Sequence, residues 1–305
     1  MPANPDISRM VDEIREDHSR GAIELARQAA MVLKVAAEQS KASETDRFVH
    51  EVLGGARMLT LARPSMAPIR NIVGRLTSAV SSQARAMDLD GLREFTIARA
   101  DQVLAESHQA VARIAGNALG LVGNGATLLT HSYSSTVLAA IRHIAAKQEG
   151  IHVTATRSGP GRAGEEVARQ LAGSGVPVTL VHDVVAAPYV ARAQAVVLGA
   201  DAVCSQGVVN GVGSYQIAVL ASALKTPVYV LCDSLKFDPA LTREDADLEE
   251  NACQMEVVSG LSRDVIASIP RFDFTPLELL AAVVTETGVL PPQKVPTYLR
   301  SISLT

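Results

Sequence analysis

GATLLTHSYSS, residues 125–135, is the stretch that decides the fold of this chain. Its apolar run, 126–130, is typical of a buried strand, and hydroxyl side chains follow where that strand ends. The next helix is predicted to span 136–147. A helix N-terminus presents unbonded N–H groups and the positive end of the helix dipole. This strand-to-helix turn therefore favours the binding of an anion, above all a phosphate.

The chain beyond Gly116 alternates short apolar runs with helical stretches. The predicted strands span 126–130, 151–156, 176–181, 195–198 and 228–231. The predicted helices span 136–147, 164–172, 186–193 and 215–224. Because β–α–β crossovers join parallel strands, this order predicts a parallel sheet. No GxGxxG motif or P-loop follows the first strand, so dinucleotide binding and nucleoside-triphosphate hydrolysis lack their usual motifs.

Helical periodicity runs from Ile7 to about Ser107, with apolar residues three and four positions apart. Arg63-Pro64 interrupts it, because the residue before a proline leaves the helical region. A long helix is then predicted from about Leu92 to Leu119. We therefore expect an α/β protein of two domains. Residues 1–115 form a helical bundle domain, and residues 116–305 form a Rossmann-like parallel-sheet domain.

The composition narrows the function classes. The chain has 305 residues and a formal net charge of -4, with 28 Lys+Arg against 32 Asp+Glu and no basic tract, so direct nucleic-acid binding is not expected. Every apolar run is too short to span a membrane, which predicts a cytoplasmic protein without a membrane partner. Cys204, Cys232 and Cys253 are odd in number and lack metal-ligand spacing. We predict neither a metal nor a cofactor.

Carboxylates follow two of the predicted strands. Asp201 comes after 195–198, and Asp183 comes after 176–181. A carboxylate at such a position often caps the next helix; alternatively it faces a ligand in the crevice beyond the sheet. Asp201 is the stronger candidate, because the segment 206–213 that follows it is predicted to be a loop able to wrap a ligand.

Basic residues supply further candidates. Lys236 stands just past the last predicted strand, where surface exposure is the ordinary explanation for a lysine. The turn 156–164 contains two arginines and several glycines, which suit a phosphate, although a solvated turn is the more common role. In the helical half, Arg20 and Arg63 are candidates to reach over the sheet.

In their order and spacing, these segments resemble one protein superfamily over nearly the whole chain. It contains the alpha, beta and delta regulatory subunits of translation initiation factor 2B, ribose-1,5-bisphosphate isomerase and methylthioribose-1-phosphate isomerase. The segments that carry the resemblance are Arg20-Gly21-Ala22, Arg63-Pro64, Leu129-Thr130-His131-Ser132-Tyr133-Ser134, Gly199-Ala200-Asp201, Gly213-Ser214-Tyr215, Asp233-Ser234-Leu235-Lys236-Phe237, Phe272-Asp273-Phe274-Thr275-Pro276 and Thr285-Glu286-Thr287-Gly288.

The resemblance implies the same two-domain fold, a homodimer or larger homo-oligomer, and a pocket for a phosphorylated sugar or nucleotide. In the isomerases a cysteine and an aspartate act as a pair; the aspartate corresponds to Asp201, and the cysteine position holds Ser132. The residues and the resemblance together yield these ligand-binding candidates: Arg20, Gly21, Ala22, Arg63, Ser134, Ser135, Thr136, Asn210 and Lys236.

Three functional hypotheses follow. A hydroxyl is a far weaker acid than a thiol, so the primary hypothesis is a protein like the regulatory subunits of initiation factor 2B. Such a protein binds a phosphorylated ligand and has no isomerase activity. Under this hypothesis a translation factor is a possible partner. The alternative is an aldose–ketose isomerase acting on a C1-phosphorylated pentose, with Asp201 as proton donor or acceptor. The third is an assembly protein whose pocket is vestigial.

Overall fold

The computed structural model describes residues 5–17, 20–64, 66–244 and 270–302. The chain divides into two compact units, Met1–Gln109 and Ala110–Thr305. Helix α5 (Leu89–Ala118) runs through this division. The domain boundary between residues 115 and 116 stays a prediction.

The first unit is helical. Its helices are α1 (Pro5–Glu16), α2 (Ala22–Gln39), α3 (Thr45–Ala62), α4 (Ala67–Gln83) and the greater part of α5. Helix α3 ends before Arg63-Pro64, where Arg63 has the extended φ of -142° that a following proline favours. The interior of this unit is apolar, and its buried residues include Leu25, Leu33, Phe48, Leu59 and Leu76.

The second unit contains a seven-stranded sheet. In chain order its strands are β1 (Thr127–His131), β2 (His152–Thr156), β3 (Val178–Val181), β4 (Ala195–Leu198), β7 (Val228–Leu231), β9 (Ala282–Thr285) and β10 (Gly288–Leu290). Their spatial order is β10-β9-β7-β4-β1-β2-β3, and every pair is parallel except β9 with β10. The helices are α6 (Ser135–Lys147), α7 (Ala163–Ala172), α8 (Ala187–Val190), α9 (Ser214–Leu224) and α10 (Val295–Ile302).

Both faces of this sheet are buried, as a parallel sheet requires. Alternate strand residues point to opposite faces, so Leu129 packs in one apolar cluster with Ile217 of α9, and Leu128 packs in another with Ile141 of α6 and Val167 of α7. Helices on two sides of a mostly parallel sheet form the α/β architecture that the sequence predicts.

Three short strands form a separate antiparallel sheet, β5-β6-β8, from Ala202–Val203, Gly207–Gly211 and Phe272–Pro276. The prediction that 206–213 is a loop is therefore wrong, since most of it is β6. Its pairing partner β8 lies about sixty residues further along the chain, beyond the reach of local pattern. The helix predicted over 186–193 is also shorter than expected, because only α8 forms there.

Among the residues that the structure describes, no helix combines the length and the apolar character that a membrane span needs.

Candidate functional site

The candidate site lies at the carboxyl edge of the sheet, where the strand order reverses. From β1 the chain proceeds to β2 and β3 on one side and then returns to β4 on the other. His131 pairs with Leu198, and Leu198 pairs with Val230, so β1, β4 and β7 end level with one another. Ligands of open α/β sheets bind at such a reversal. The segments that follow these three strands carry Ser132, Asp201 and Lys236.

Ser132 begins the turn between β1 and α6. Its backbone is left-handed, with a φ of 64°, and its N–H donates to Ser158 Oγ at 2.7 Å. The Ser132 side chain lies against Gly211 of β6, where a Cβ atom would collide with Ser132 Oγ. Glycine at 211 therefore makes room for this side chain.

The same turn approaches β4 through Ser134. A Cβ atom on Gly199 would lie 2.7 Å from Ser134 Cβ and 2.8 Å from Ser134 Oγ, so only glycine fits there. Ser134 caps α6, because its Oγ accepts the N–H of Val137 at 3.3 Å. Ser135 and Thr136 form the first turn of this helix, whose N–H groups have no intrahelical partner. The arrangement suits an anion.

Asp201 and Lys236 form the charged pair of the site. Lys236 Nζ lies 3.9 Å from Asp201 Oδ1, and it also donates a hydrogen bond to the carbonyl of Ala200. Lys236 is 9% exposed, so it is a buried lysine and not a surface one. The Asp201 side chain keeps 37% of its surface exposed. A carboxylate held beside an ammonium and still open to solvent is suited to proton transfer.

Lys236 is positioned by contacts that sequence reasoning missed. It ends the 3₁₀ turn Ser234–Lys236, in which Asp233 Oδ1 accepts the N–H of Leu235 at 2.8 Å. Glu286, in the turn between β9 and β10, accepts the N–H of Ser234 at 3.0 Å through its Oε2. The sequence marks Glu286 only as part of a family segment, since a contact between residues 52 positions apart leaves no local pattern.

Asn210 lies beside Gly199 and is buried. Its Nδ2 donates to Ser214 Oγ at 2.8 Å, at the start of α9. Asp273, its cross-strand partner on β8, accepts the N–H groups of Gly213 and Tyr215 at 2.7 and 3.0 Å through Oδ2. Burial nevertheless raises the pKa of Asp273 to about 6, against the effect of these two donors. Both side chains thus hold the N-terminus of α9.

His131 is buried below the turn. Its Nε2 lies 2.7 Å from the carbonyl oxygen of Val212, which can only accept, so Nε2 carries the proton. Its Nδ1 then accepts from Thr156 Oγ1 at 2.6 Å. Burial lowers the pKa of His131 below its ordinary value, which keeps the imidazole neutral at neutral pH. Both ring nitrogens are therefore engaged by structural partners.

Asp183 and the glycine-rich turn lie next to this histidine. Asp183 does not cap its own helical turn; its carboxylate accepts the N–H groups of Ser158 and Gly159, each at 2.8 Å. Arg157 is one of the two arginines of this turn. It pairs with Glu165, with 2.7 Å between Nε and Oε1.

Neither described cysteine supplies a reactive thiol. Cys204 and Cys232 are free and buried, and burial raises the pKa of both thiols. Cys253 lies outside the described residues. A buried thiol with a raised pKa is inert, so neither residue replaces the cysteine that the resemblance places at position 132.

The first unit holds the four remaining candidates. Arg20 pairs with Asp17, and Arg63 donates to the carbonyls of Ile14, at 3.2 Å, and of Asp17. Gly21 precedes α2, and its N–H donates weakly to Glu24 at 3.4 Å; Ala22 is the first residue of that helix and is buried. The two arginines thus bind the segment that ends α1.

Comparison with curated proteins points to sugar-phosphate isomerases. The chain is 30% identical over 310 residues to a protein of Haloferax volcanii named ribose 1,5-bisphosphate isomerase, and the match covers 98% of this chain and 93% of that relative. Five further relatives, 27–30% identical, carry the same name. A protein of Moorella thermoacetica named 5-deoxyribose 1-phosphate isomerase is 30% identical, over 94% of this chain and 87% of its own.

These relatives correct the primary functional hypothesis. The interpretation as a regulatory subunit without isomerase activity is wrong, because seven curated relatives that each match 94% or more of this chain are named as isomerases.

Solved structures share the fold. The crystal structure of the Pyrococcus horikoshii OT3 translation initiation factor eIF-2B superposes with a TM-score of 0.80 at 25% identity, over 95% of this chain and 98% of that one. The tetrameric eIF2B-beta2-delta2 complex from C. thermophilum gives a TM-score of 0.79 at 21% identity, over 97% and 94%. The model of the Initiation factor 2 subunit family matches residues 18–292, most of the chain, and the protein therefore belongs to that family.

Proposed function

We propose that this protein is an aldose–ketose isomerase that acts on a C1-phosphorylated pentose, with ribose 1,5-bisphosphate as its substrate. The observation that carries the proposal is the Asp201–Lys236 pair, which lies at the reversal of the sheet beside the turn that begins with Ser132. The names of the relatives support the same class, since they share a pentose with a phosphate on C1 and differ at C5.

The reaction is an internal transfer of hydrogen. The bond between C1 and the ring oxygen breaks and the ring oxygen gains a proton, while C2 loses its hydrogen and C1 gains one. The hydroxyl on C2 loses its proton and becomes a carbonyl, so the hydrogens balance. No external oxidant is needed, because C1 is reduced as C2 is oxidised. In this proposal Asp201 donates or accepts the proton, and Lys236 holds the carboxylate in place.

The phosphates require donors. We assign one phosphate to the first turn of α6, with Ser134, Ser135 and Thr136, because N–H groups there lack intrahelical partners. Lys236 supplies a positive charge to the same edge of the sheet. The other proposed ligand-binding residues are Asn210 of the second unit and Arg20, Gly21, Ala22 and Arg63 of the first.

Ser132 occupies the position at which the resemblance places a cysteine. We propose that its hydroxyl takes part in the proton transfer, more slowly than a thiol would, because a hydroxyl yields its proton less readily.

A substrate panel tests the proposal. The purified chain is incubated with ribose 1,5-bisphosphate, with 5-deoxyribose 1-phosphate and with ribose 5-phosphate, and the products are followed by ³¹P and ¹³C NMR. We expect a ketose from ribose 1,5-bisphosphate. We also expect one from 5-deoxyribose 1-phosphate if the site does not recognise the substituent on C5. Ribose 5-phosphate, which lacks the C1 phosphate, should be inert. Turnover of none of the three would overturn the proposal.

We also propose that the chain assembles as a homodimer or a larger homo-oligomer. Sedimentation velocity measures this directly, and a monomer at micromolar concentration would contradict it. A translation-factor partner stays a prediction.

A further inference from the structure

Ser132 and Ser158 both have left-handed backbones, with φ angles of 64° and 60°. An L-residue in this region costs about 1 kcal/mol or more, because its Cβ crowds the neighbouring carbonyl, and it persists only when its surroundings hold it there. Such residues are concentrated at functional sites. The contacts around Ser132 therefore identify what holds it.

The hydroxyl of Ser158 joins the two residues. Its oxygen accepts the N–H of Ser132 at 2.7 Å, and its O–H donates to the carbonyl of Thr156 at 3.2 Å. Ser158 is 6% exposed, so this bond is sheltered from water. A hydroxyl that accepts on one side and donates on the other has a fixed orientation.

Asp183 holds Ser158 in turn. Its Oδ1 accepts the N–H of Ser158 and its Oδ2 that of Gly159, each at 2.8 Å. Two parallel bonds from one carboxylate to successive N–H groups fix both the position and the direction of that backbone. Asp183 starts the segment after β3, so it ties the end of β3 to the turn after β2.

His131 closes the arrangement from below. Its Nδ1 lies 3.4 Å from Ser158 Oγ and 3.8 Å from Asp183 Oδ1, but its stronger bonds go to Thr156 and Val212. His131 therefore packs against Ser158 and Asp183, and the N–H of Ser132 is bonded to Ser158.

We propose that Asp183 and Ser158 are positioning residues that hold Ser132 in its left-handed conformation and so aim its hydroxyl into the site. The contacts run from the Asp183 carboxylate to the backbone of the turn, and from the Ser158 hydroxyl to the N–H of Ser132. The role of the Ser132 hydroxyl rests on the proposed function, whereas its conformation rests on these contacts alone.

Two variants test this in the full chain. Ser158→Gly removes the hydroxyl, and glycine accepts a φ of 60° without strain, so the variant should fold. Asp183→Asn keeps the shape but replaces one accepting oxygen by a donor. Ser174→Ala is the matched control, because Ser174 also accepts a bond from nitrogen, Arg142 Nε at 2.9 Å, on an exposed part of the second unit.

The first readout is amide hydrogen exchange by NMR at residue 132, with Leu129 in β1 as internal reference. We expect exchange at residue 132 to rise about tenfold in both variants, the effect of one lost hydrogen bond, and to stay unchanged in the control. The second readout is isomerase kinetics, for which we expect kcat to fall about tenfold while KM stays within about threefold.

These readouts separate the two claims. Unchanged exchange at residue 132 in both variants would overturn the inference, whatever the kinetics. Faster exchange with an unchanged kcat would overturn the link between conformation and chemistry. If the parent chain turns over no C1-phosphorylated pentose, the proposed function fails, and exchange alone then decides whether Asp183 and Ser158 hold Ser132.

Discussion

Lys236 Nζ lies 3.9 Å from Oδ1 of Asp201 and is also bonded to the carbonyl of Ala200, the residue before that aspartate. One buried ammonium thus joins the segment after β7 to the segment after β4. Because a buried charge is costly unless it is paired and hydrogen-bonded, the Lys236 ammonium holds these two segments together. Asp201 is fixed at the reversal of the sheet by this contact.

Replacing Lys236 by methionine should therefore impair both stability and turnover. The carbonyl of Ala200 loses its donor. A buried group left without a hydrogen bond lowers the free energy of unfolding by about 1–3 kcal/mol. We expect kcat to fall by about a hundredfold or more, since Asp201 loses its contact with Lys236. Lys34→Met is the control, because Lys34 pairs with Asp101 at 2.7 Å in the first unit. A K236M protein with parental kcat would contradict the assigned role.

Ser132→Cys should raise kcat for the isomerisation of ribose 1,5-bisphosphate. A free thiol has a pKa of about 8.5 and exchanges a proton more readily than a hydroxyl does. We expect S132C to exceed the parent in kcat and Ser132→Ala to fall below it, with both measured on ribose 1,5-bisphosphate. Ser174→Cys controls for the added thiol. Equal rates for S132C and S132A would show that the atom at this position takes no part in the reaction.

Glycine should be required at positions 199 and 211. In Gly199→Ala the new Cβ would lie 2.7 Å from Ser134 Cβ, and in Gly211→Ala it would collide with Ser132 Oγ. We expect each variant to lose about 1–3 kcal/mol of unfolding free energy, as overpacked sites do. Gly161→Ala is the control, because nothing lies within 4 Å of its new Cβ. Thermal or urea unfolding measures the difference, and parental stability for G199A would contradict the packing described.

Asp273 should make stability depend on pH in the sense opposite to most carboxylates. Its pKa is raised from 3.8 to about 6 in the folded chain, so the folded state binds this proton more tightly. The contribution of Asp273 to the free energy of unfolding is therefore fully present at low pH and is lost as pH rises through about 6. The unfolding free energy of the parent minus that of Asp273→Asn should fall between about pH 4 and pH 7. A difference that stays flat or rises would contradict this assignment.

Local pattern was sufficient for five of the seven strands of the main sheet, whereas β9 and β10 were not predicted. The predicted strands 195–198 and 228–231 coincide with β4 and β7, because each is an apolar run bounded by turn residues. It was insufficient for β6 and β8, which interrupt their apolar residues with Asn210 and Asp273 and pair over a long separation.

At the candidate site too, sequence pattern predicted some features and missed others. Ser132, Asp201 and Lys236 follow strands whose adjacency a parallel sheet makes predictable. The burial of Lys236, the contact of Glu286 with Ser234 and the left-handed φ of Ser132 arise from tertiary contacts, which no single segment encodes. The roles of these residues stay predictions until activity is measured.

The most direct measurement compares the parent chain with Asp201→Asn on ribose 1,5-bisphosphate. Asparagine keeps the shape of the side chain and removes its capacity to transfer a proton. Asp90→Asn, at an exposed carboxylate of the first unit, is the control. We predict ketose formation by the parent and the control, and a loss of kcat of about a hundredfold or more in D201N, measured at a temperature at which thermal unfolding shows the variant to be folded. Equal turnover by D201N and the parent would contradict the account.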